Sequence, residues 1–190
     1  MRHFKLLACM LIMFIIGCIN NITYAAIVYY DVPVNTIKAF NKDEKKAIKQ
    51  FESKLRSNYR RVEGEIIDSV IPFDGQILNE DDIYVKFRVT SVAEEPLVLQ
   101  NAFGAQYTYM VPKVRYIIEE SKGNGDTVTG AFWRTHNVGG NELAVAIQLK
   151  SAKGKNGVRR LVKWALEDIA TDLEKLKKKN AIDEKAESYM

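Results

Sequence analysis

Thiols are all but missing from this chain: its two cysteines, Cys9 and Cys18, both fall within the first 25 of 190 residues. A chain cut after Ala25 keeps no thiol, which excludes structural disulfides, thiol catalysis and cysteine-ligated zinc from the folded part. Histidine is almost as scarce. His3 lies in the leader and His136 stands alone beyond it, so a histidine-rich metal site is excluded and a Ser-His-Asp triad would rest on one residue. His136 sits in Trp133-Arg134-Thr135-His136-Asn137-Val138-Gly139-Gly140, no GxSxG elbow supplies a nucleophile, and it reads as a surface loop histidine. Phosphate-binding glycine motifs are missing too. Neither Gly123-Asn124-Gly125 nor Gly154-Lys155-Asn156-Gly157 completes GxxxxGK[ST] or GxGxxG, so both read as turns. Long apolar runs are absent except from Leu6 to Ile19, 14 residues behind Arg2 and Lys5. That run falls short of the ~20 residues of a membrane span and has the order of a secretory signal.

Two cuts compete for that signal. Thr23-Tyr24-Ala25 follows a polar Asn20-Asn21 break and suits cleavage after Ala25, giving a soluble chain that begins at Ala26. Ile15-Ile16-Gly17-Cys18 resembles a bacterial lipobox, with Cys18 acylated and becoming the new N-terminus behind a leader of residues 1–17. Several acyl chains on one cysteine anchor stably, since each buried methylene contributes ~0.8 kcal/mol. Ile19 after it, where aspartate is the usual retention signal, is similar to the residues of lipoproteins that continue to the outer membrane.

Removing residues 1–25 leaves 165 residues, which fits a single domain, here residues 26–180, with residues 181–190 a frayed tail. At 47% apolar and 27% charged the chain is ordinary for a folded soluble protein, which excludes collagen-like, disordered and disulfide-scaffold classes. Ile27 to Val32 reads as a strand ended by Pro33. Asn41 with Glu44 is a capping-box pattern, and Ala47, Ile48, Phe51, Leu55 and Tyr59 then recur at helical spacing. From Lys42 to Arg61 eight Lys or Arg face three Asp or Glu, which reads as a solvated basic face. From Glu63 to Asp82 seven acidic residues and no basic one mark a loop-rich connection. Ile83 to Thr90 alternates as a half-buried strand, and Glu94-Glu95-Pro96 reads as a turn. Tyr107 to Val111, Lys113 to Glu120 and Asp126 to Trp133 read as strands, the last two a hairpin through Asn124-Gly125. Leu143 to Leu149 reads as a further strand. Val158, Leu161, Val162, Ala165, Ile169, Leu173 and Leu176 define one helical face, with Lys175, Lys177, Lys178 and Lys179 in its last turn complementing the dipole. The order predicts an α+β domain, a mainly antiparallel meandering sheet with an N-terminal and a C-terminal amphipathic helix packed on one face.

Few residues invite chemistry. Lys153, Lys155, Arg159 and Arg160 surround the start of the C-terminal helix, where free N–H groups favour an anion or lipid headgroup. Glu80, Asp81 and Asp82 read as a solvated turn, because neighbouring strand residues point to opposite faces and no calcium-loop spacing follows. Tyr107, Tyr109, Tyr116, Phe132 and Trp133 read as core before pocket. A net charge of +2 on the exported part, split between basic helices and an acidic connector, gives no footprint for nucleic acid. No catalytic residue, metal or cofactor is expected.

The stretch Val85-Lys86-Phe87-Arg88-Val89-Thr90-Ser91-Val92-Ala93-Glu94-Glu95-Pro96, with its V-x-x-x-P ending, the hairpin Val114 to Val128 and Lys163-Trp164-Ala165 in the last helix together resemble a family of Gram-negative lipoproteins carrying a domain of unknown function. The resemblance spans about residues 27–178; at the hairpin the family reads D-A-x-T-G, whereas this chain has Ser121-Lys122-Gly123-Asn124-Gly125-Asp126. It implies a lipobox cysteine and tips the choice toward Cys18. The sequence therefore points to a non-enzymatic envelope lipoprotein on the periplasmic side of a membrane, serving as an accessory or binding module. A soluble periplasmic carrier of a small apolar or anionic ligand is the alternative, and an enzyme using only carboxylates and hydroxyls comes third.

Overall fold

A computed structural model describes residues 25–100, 103–136 and 142–187. The expected signal cleavage before Cys18, Cys18 itself and the glycines after His136 lie outside them. The first strand, β1 (Ala26–Asp31), is the β-branched and aromatic run that stops ahead of Pro33. A single helical turn, α1 (Val34–Ile37), follows, and then α2 (Glu44–Glu63). The cap of α2 is Asp43, whose carboxylate accepts the Lys46 N–H at 3.0 Å, while Asn41 accepts from the Asp43 N–H. Asp43 lies one residue before the helix, where the free donors are, so Asn41 is too early to cap it. Gly64 ends α2 in the left-handed region, at φ 69°.

The remaining strands are β2 (Ile67–Pro72), β3 (Ile83–Gln100), β4 (Gln106–Lys122) and β5 (Thr127–Thr135). They form one five-stranded sheet in the order β2-β1-β3-β4-β5. The sheet is mixed, which corrects the expected antiparallel meander: β1 runs parallel to both β2 and β3, while β3–β4 and β4–β5 are antiparallel. The acidic connection conceals the reason. It contains β2, where Ile67 and Val70 are buried, but a register shift between Ala26 and Ile27 breaks the alternation that would have revealed a strand. Residues 73–82 then return past β1 instead of turning directly into an antiparallel neighbour.

The hairpin of β3 and β4 pairs from Ile83↔Lys122 out to Gln100↔Gln106, whereas β5 reaches only Thr135↔Lys113. Its outer half is a two-stranded arm. Glu94-Glu95-Pro96 therefore continues the strand, and Pro96 and Pro112 both sit in the arm, where each strand has a free edge and the missing donors are tolerated. Leu143 to Leu149 is helix, not strand, within α3 (Glu142–Ala152), whose Leu149 packs on Val111, Leu97, Leu99 and Tyr109 of the arm. A short apolar run has no period to separate the two states. The C-terminal periodicity is divided between α4 (Gly154–Glu167) and α5 (Ile169–Glu187) by Asp168, at φ −110° and ψ 16°. Because α5 continues to Glu187, Lys175 to Lys179 stand inside the helix and not in its last turn.

One core cluster joins Val28 and Tyr30 of β1, Val85 and Phe87 of β3, and Tyr116 and Ile118 of β4 to Phe51, Leu55 and Tyr59 of α2, Leu161 and Ala165 of α4, and Ile169 and Leu173 of α5. Each large apolar side chain buried there contributes about 1.5–3 kcal/mol. Phe87, Tyr116 and Phe132 stack in a row, with ring centroids 5.3 and 5.7 Å apart. Tyr107 and Trp133 are half-exposed, so the sequence's aromatic set does not converge on a pocket.

Candidate functional site

A cavity of about 650 Å³, open to solvent, lies between α1 and α4. Its walls follow from local structure. Ile37 and Phe40 are buried, which fixes α1 and the turn after it to the core and leaves Lys38 and Lys42, in the connection to α2, exposed. On α4, Lys155, Val158, Arg159 and Val162 recur at three- and four-residue spacing and line the facing wall. Ala39 and Val89 complete an aliphatic floor. Val89 is the last regular position of β3 before a register shift between Val89 and Ser91, a local kink of the kind that often borders a site.

The rim is cationic. Lys38 pairs with Glu44 at 3.0 Å, but among the described residues neither the Lys42 nor the Lys155 ammonium has a hydrogen-bond or ion-pair partner. Arg159 donates from Nε to the carbonyl of Ala39 at 3.2 Å, and no carboxylate of the described residues lies within ion-pair distance of it. That one bond orients the guanidinium and leaves its two Nη groups available. Lys153, the residue ahead of α4, caps nothing with its side chain, and the first turn of α4 holds no acidic residue. Free donors and positive charge therefore coincide at this helix start.

The structure separates the four cations that the sequence groups together. Lys155 and Arg159 line the groove; Lys153 lies over the ring of Tyr109, 5.8 Å from its centroid, and Arg160 donates to Ser151 Oγ at 2.7 Å. Lys38 and Lys42 were missed as site residues. Both lie in the connection between α1 and α2, and their meeting with α4 is a long-range contact that no local pattern encodes. Ala25 is exposed and Ala26 buried at the start of β1, its N–H donating to Ile66 O at 2.9 Å.

Two other sequence readings change. His136 is 6% exposed, not a surface residue: its Nε2–H donates to the carbonyl of Gly157 at 3.2 Å and its ring meets Trp164 edge-on. Burial lowers its pKa below 6.5; the bond to Gly157 opposes that shift and the charge of Arg160 adds to it. Asp82 is 3% exposed and accepts from the backbone of Ile27 and from both nitrogens of Asn79, so it braces β1 instead of sitting in a solvated turn. A second concavity, at Glu120, Lys122 and Lys177, is electrostatically closed, because Lys122 pairs with Glu63 and Glu65 and Lys177 with Glu63 and Glu120. Among the described residues no helix is long and apolar enough to cross a membrane.

No family model and no curated protein matches the chain. Among solved structures it is similar to a minor lipoprotein from Acinetobacter baumannii, at 10% identity and a TM-score of 0.30, covering 80% of this chain and 95% of the other. It is also similar to a neuraminyllactose-binding hemagglutinin homolog from Helicobacter pylori, at 16% identity and a TM-score of 0.36, covering 88% and 92%. Superpositions this loose do not establish a shared fold, and the functional reading rests on the chain's own residues.

Proposed function

We propose that this chain is an exported, non-enzymatic envelope protein, tethered through an acylated Cys18 to the periplasmic side of a membrane, the outer one by virtue of Ile19, and that its α+β domain is a binding module. The observation that carries the binding role is the groove between α1 and α4, where Lys42, Lys155 and Arg159 stand without acidic partners around an aliphatic floor. Apolar walls with a few convergent polar groups are the usual make-up of a ligand site. Support for the tether comes from Ile15-Ile16-Gly17-Cys18 and from Ala26, which is already bonded into β1. A cut after Ala25 leaves no tether, whereas a cut before Cys18 leaves Ile19 to Ala25 as one.

The test is the intact mass of the membrane-extracted protein, compared with a Cys18→Ala variant. A chain beginning at Cys18 with added acyl mass, lost in the variant, supports the tether. A bare chain beginning at Ala26 in the soluble periplasm overturns it and promotes the second reading, a released carrier, which the exposed Ala25 just ahead of β1 favours. Turnover of an envelope substrate, abolished by one polar substitution, would displace both.

A further inference from the structure

We infer that the groove between α1 and α4 takes an amphiphile: one acyl chain ending in a single anionic head, carboxylate or phosphate, with the head among Lys42, Lys155 and Arg159 and the chain on Val89, Val158 and Val162. This deepens the binding-module reading and rests on it.

Charge distribution is the first support. At the other basic concavity, beside Glu120, each lysine meets two carboxylates, at 2.5 to 3.3 Å, and nothing is left for a ligand. At the groove only Lys38 is matched, by Glu44, so three positive charges face one opening without compensation among the described residues. Arg159 is also held in place by its bond to Ala39 O, which lowers the ordering needed to present its Nη pair to an oxyanion.

The floor supplies the second support. A purely polar anion would satisfy the rim but leave Ala39, Val89, Val158 and Val162 facing water, whereas an alkyl chain covers them at about 0.8 kcal/mol per methylene buried. The floor also continues outward. Val92 pairs with Val114 across the same ladder that sets Val89 opposite Tyr116. Because Val114 and Tyr116 are both core residues, Val92 lies on the same face as Val89 and extends the apolar floor one step, as far as Glu94. Val92 is 52% exposed, so it is accessible to the end of a chain longer than the groove.

The test uses the chain from Ile19 onward, which contains every element of the sheet and core, and cis-parinarate, a fluorescent fatty acid, as the probe. Saturable one-to-one binding is expected. The double charge reversal Lys155→Glu with Arg159→Glu should weaken it at least tenfold. Lys153→Glu with Arg160→Glu changes net charge equally but lies off the groove, and should stay within twofold of wild type. Where the first pair unfolds the domain by thermal melting, Lys42→Glu, on an exposed residue, should still weaken binding severalfold. A lysophospholipid that displaces the probe assigns the head to phosphate; a competitor series in which only fatty acids displace it assigns carboxylate.

Equal loss in both double variants overturns the inference, as does equal affinity for the uncharged alcohol of the same chain length. So does binding only to vesicles of phosphatidylglycerol in phosphatidylcholine, which would replace the groove by a bilayer surface. Inorganic phosphate bound as tightly as the amphiphile, and lost on Lys155→Glu with Arg159→Glu, overturns the acyl chain while sparing the binding module. Absence of binding by fatty acid, lysophospholipid and phosphate alike removes both.

Discussion

Glu120 and Asp172 are 2% and 4% exposed, and each carboxylate is held by one tyrosine and one cation from a distant part of the chain. Glu120 accepts from Tyr59 at 2.8 Å and from Lys177 at 2.5 Å; Asp172 accepts from Tyr116 at 2.6 Å and from Arg134 at 2.7 Å. Burial, and then the adjoining carboxylate, raises the pKa of both tyrosines, so the hydroxyls remain donors throughout the neutral range. For Lys177 burial works against the charge, but hydrogen bonds to and the charges of Glu120 and Glu63 outweigh it and its pKa is raised. Lys177→Met should therefore leave Glu120 buried without its cation and destabilise the domain by about 3–5 kcal/mol, read by urea unfolding. Tyr116→Phe, which removes one hydroxyl from the Asp172 cluster, should cost about 1–3 kcal/mol in the same assay. His136 predicts a pH dependence of defined sign. Its folded pKa is lowered, so the unfolded chain binds the proton more readily, and stability present above pH 6.5 should fall as pH drops from 6.5 toward the folded pKa. His136→Gln should flatten that part of the stability profile.

At the scale of elements, close approach decides what sequence pattern leaves open. Gly157, in the first turn of α4, lies so near the end of α3 that an added Cβ would stand 1.7 Å from Ala152 O and 2.9 Å from Pro112 Cγ. Alanine normally favours a helix interior over glycine by about 1 kcal/mol. Gly157→Ala should instead destabilise the domain by about 2 kcal/mol or more, because the obstructing atom is backbone. A thermal midpoint at or above that of wild type would remove this account. Such contacts also separate what was legible from what was not. The strand β1, the body of α2 and the Asn124-Gly125 hairpin could be read because their signals are local: period two, period 3.6 and a turn dipeptide. The strand β2 was hidden by its register shift, α3 by an apolar run without a period, and the arm by Pro96, which reads as a turn unless the free edge is known. The groove was half legible. Lys155 and Arg159 stood out as a basic helix start, but Lys38, Lys42 and Val89 join them only through tertiary packing.

The whole molecule has a polarity along the sheet. The chain enters at Ala26, beside Ile67, and β1 leads away from that end for six residues, about 20 Å, to the turn that builds α1 and the groove. The β4–β5 turn, with the exposed Asn124, follows Lys122, the partner of Ile83 at the start of β3, and so lies at the same end as Ala26. In the opposite direction β3 continues 14 residues beyond Lys86, the partner of Asp31, so the arm extends about 45 Å past β1. A lipid on Cys18, joined to β1 by Ile19 to Ala25, would accordingly hold the β4–β5 turn near the bilayer and present the groove and arm away from it. The tether spans at most about 25 Å when extended, which allows tilting but does not exchange the two ends on average. The scarcity of thiols makes this measurable, since beyond Cys18 the chain has no other cysteine. A fluorophore on Asn124→Cys should be quenched by lipids carrying a headgroup spin label, and one on Asn35→Cys, at the groove, should be quenched several-fold less. Equal quenching at the two positions, or the reverse order, would mean that the domain lies with its groove against the membrane, and the ligand would then have to be sought within the bilayer.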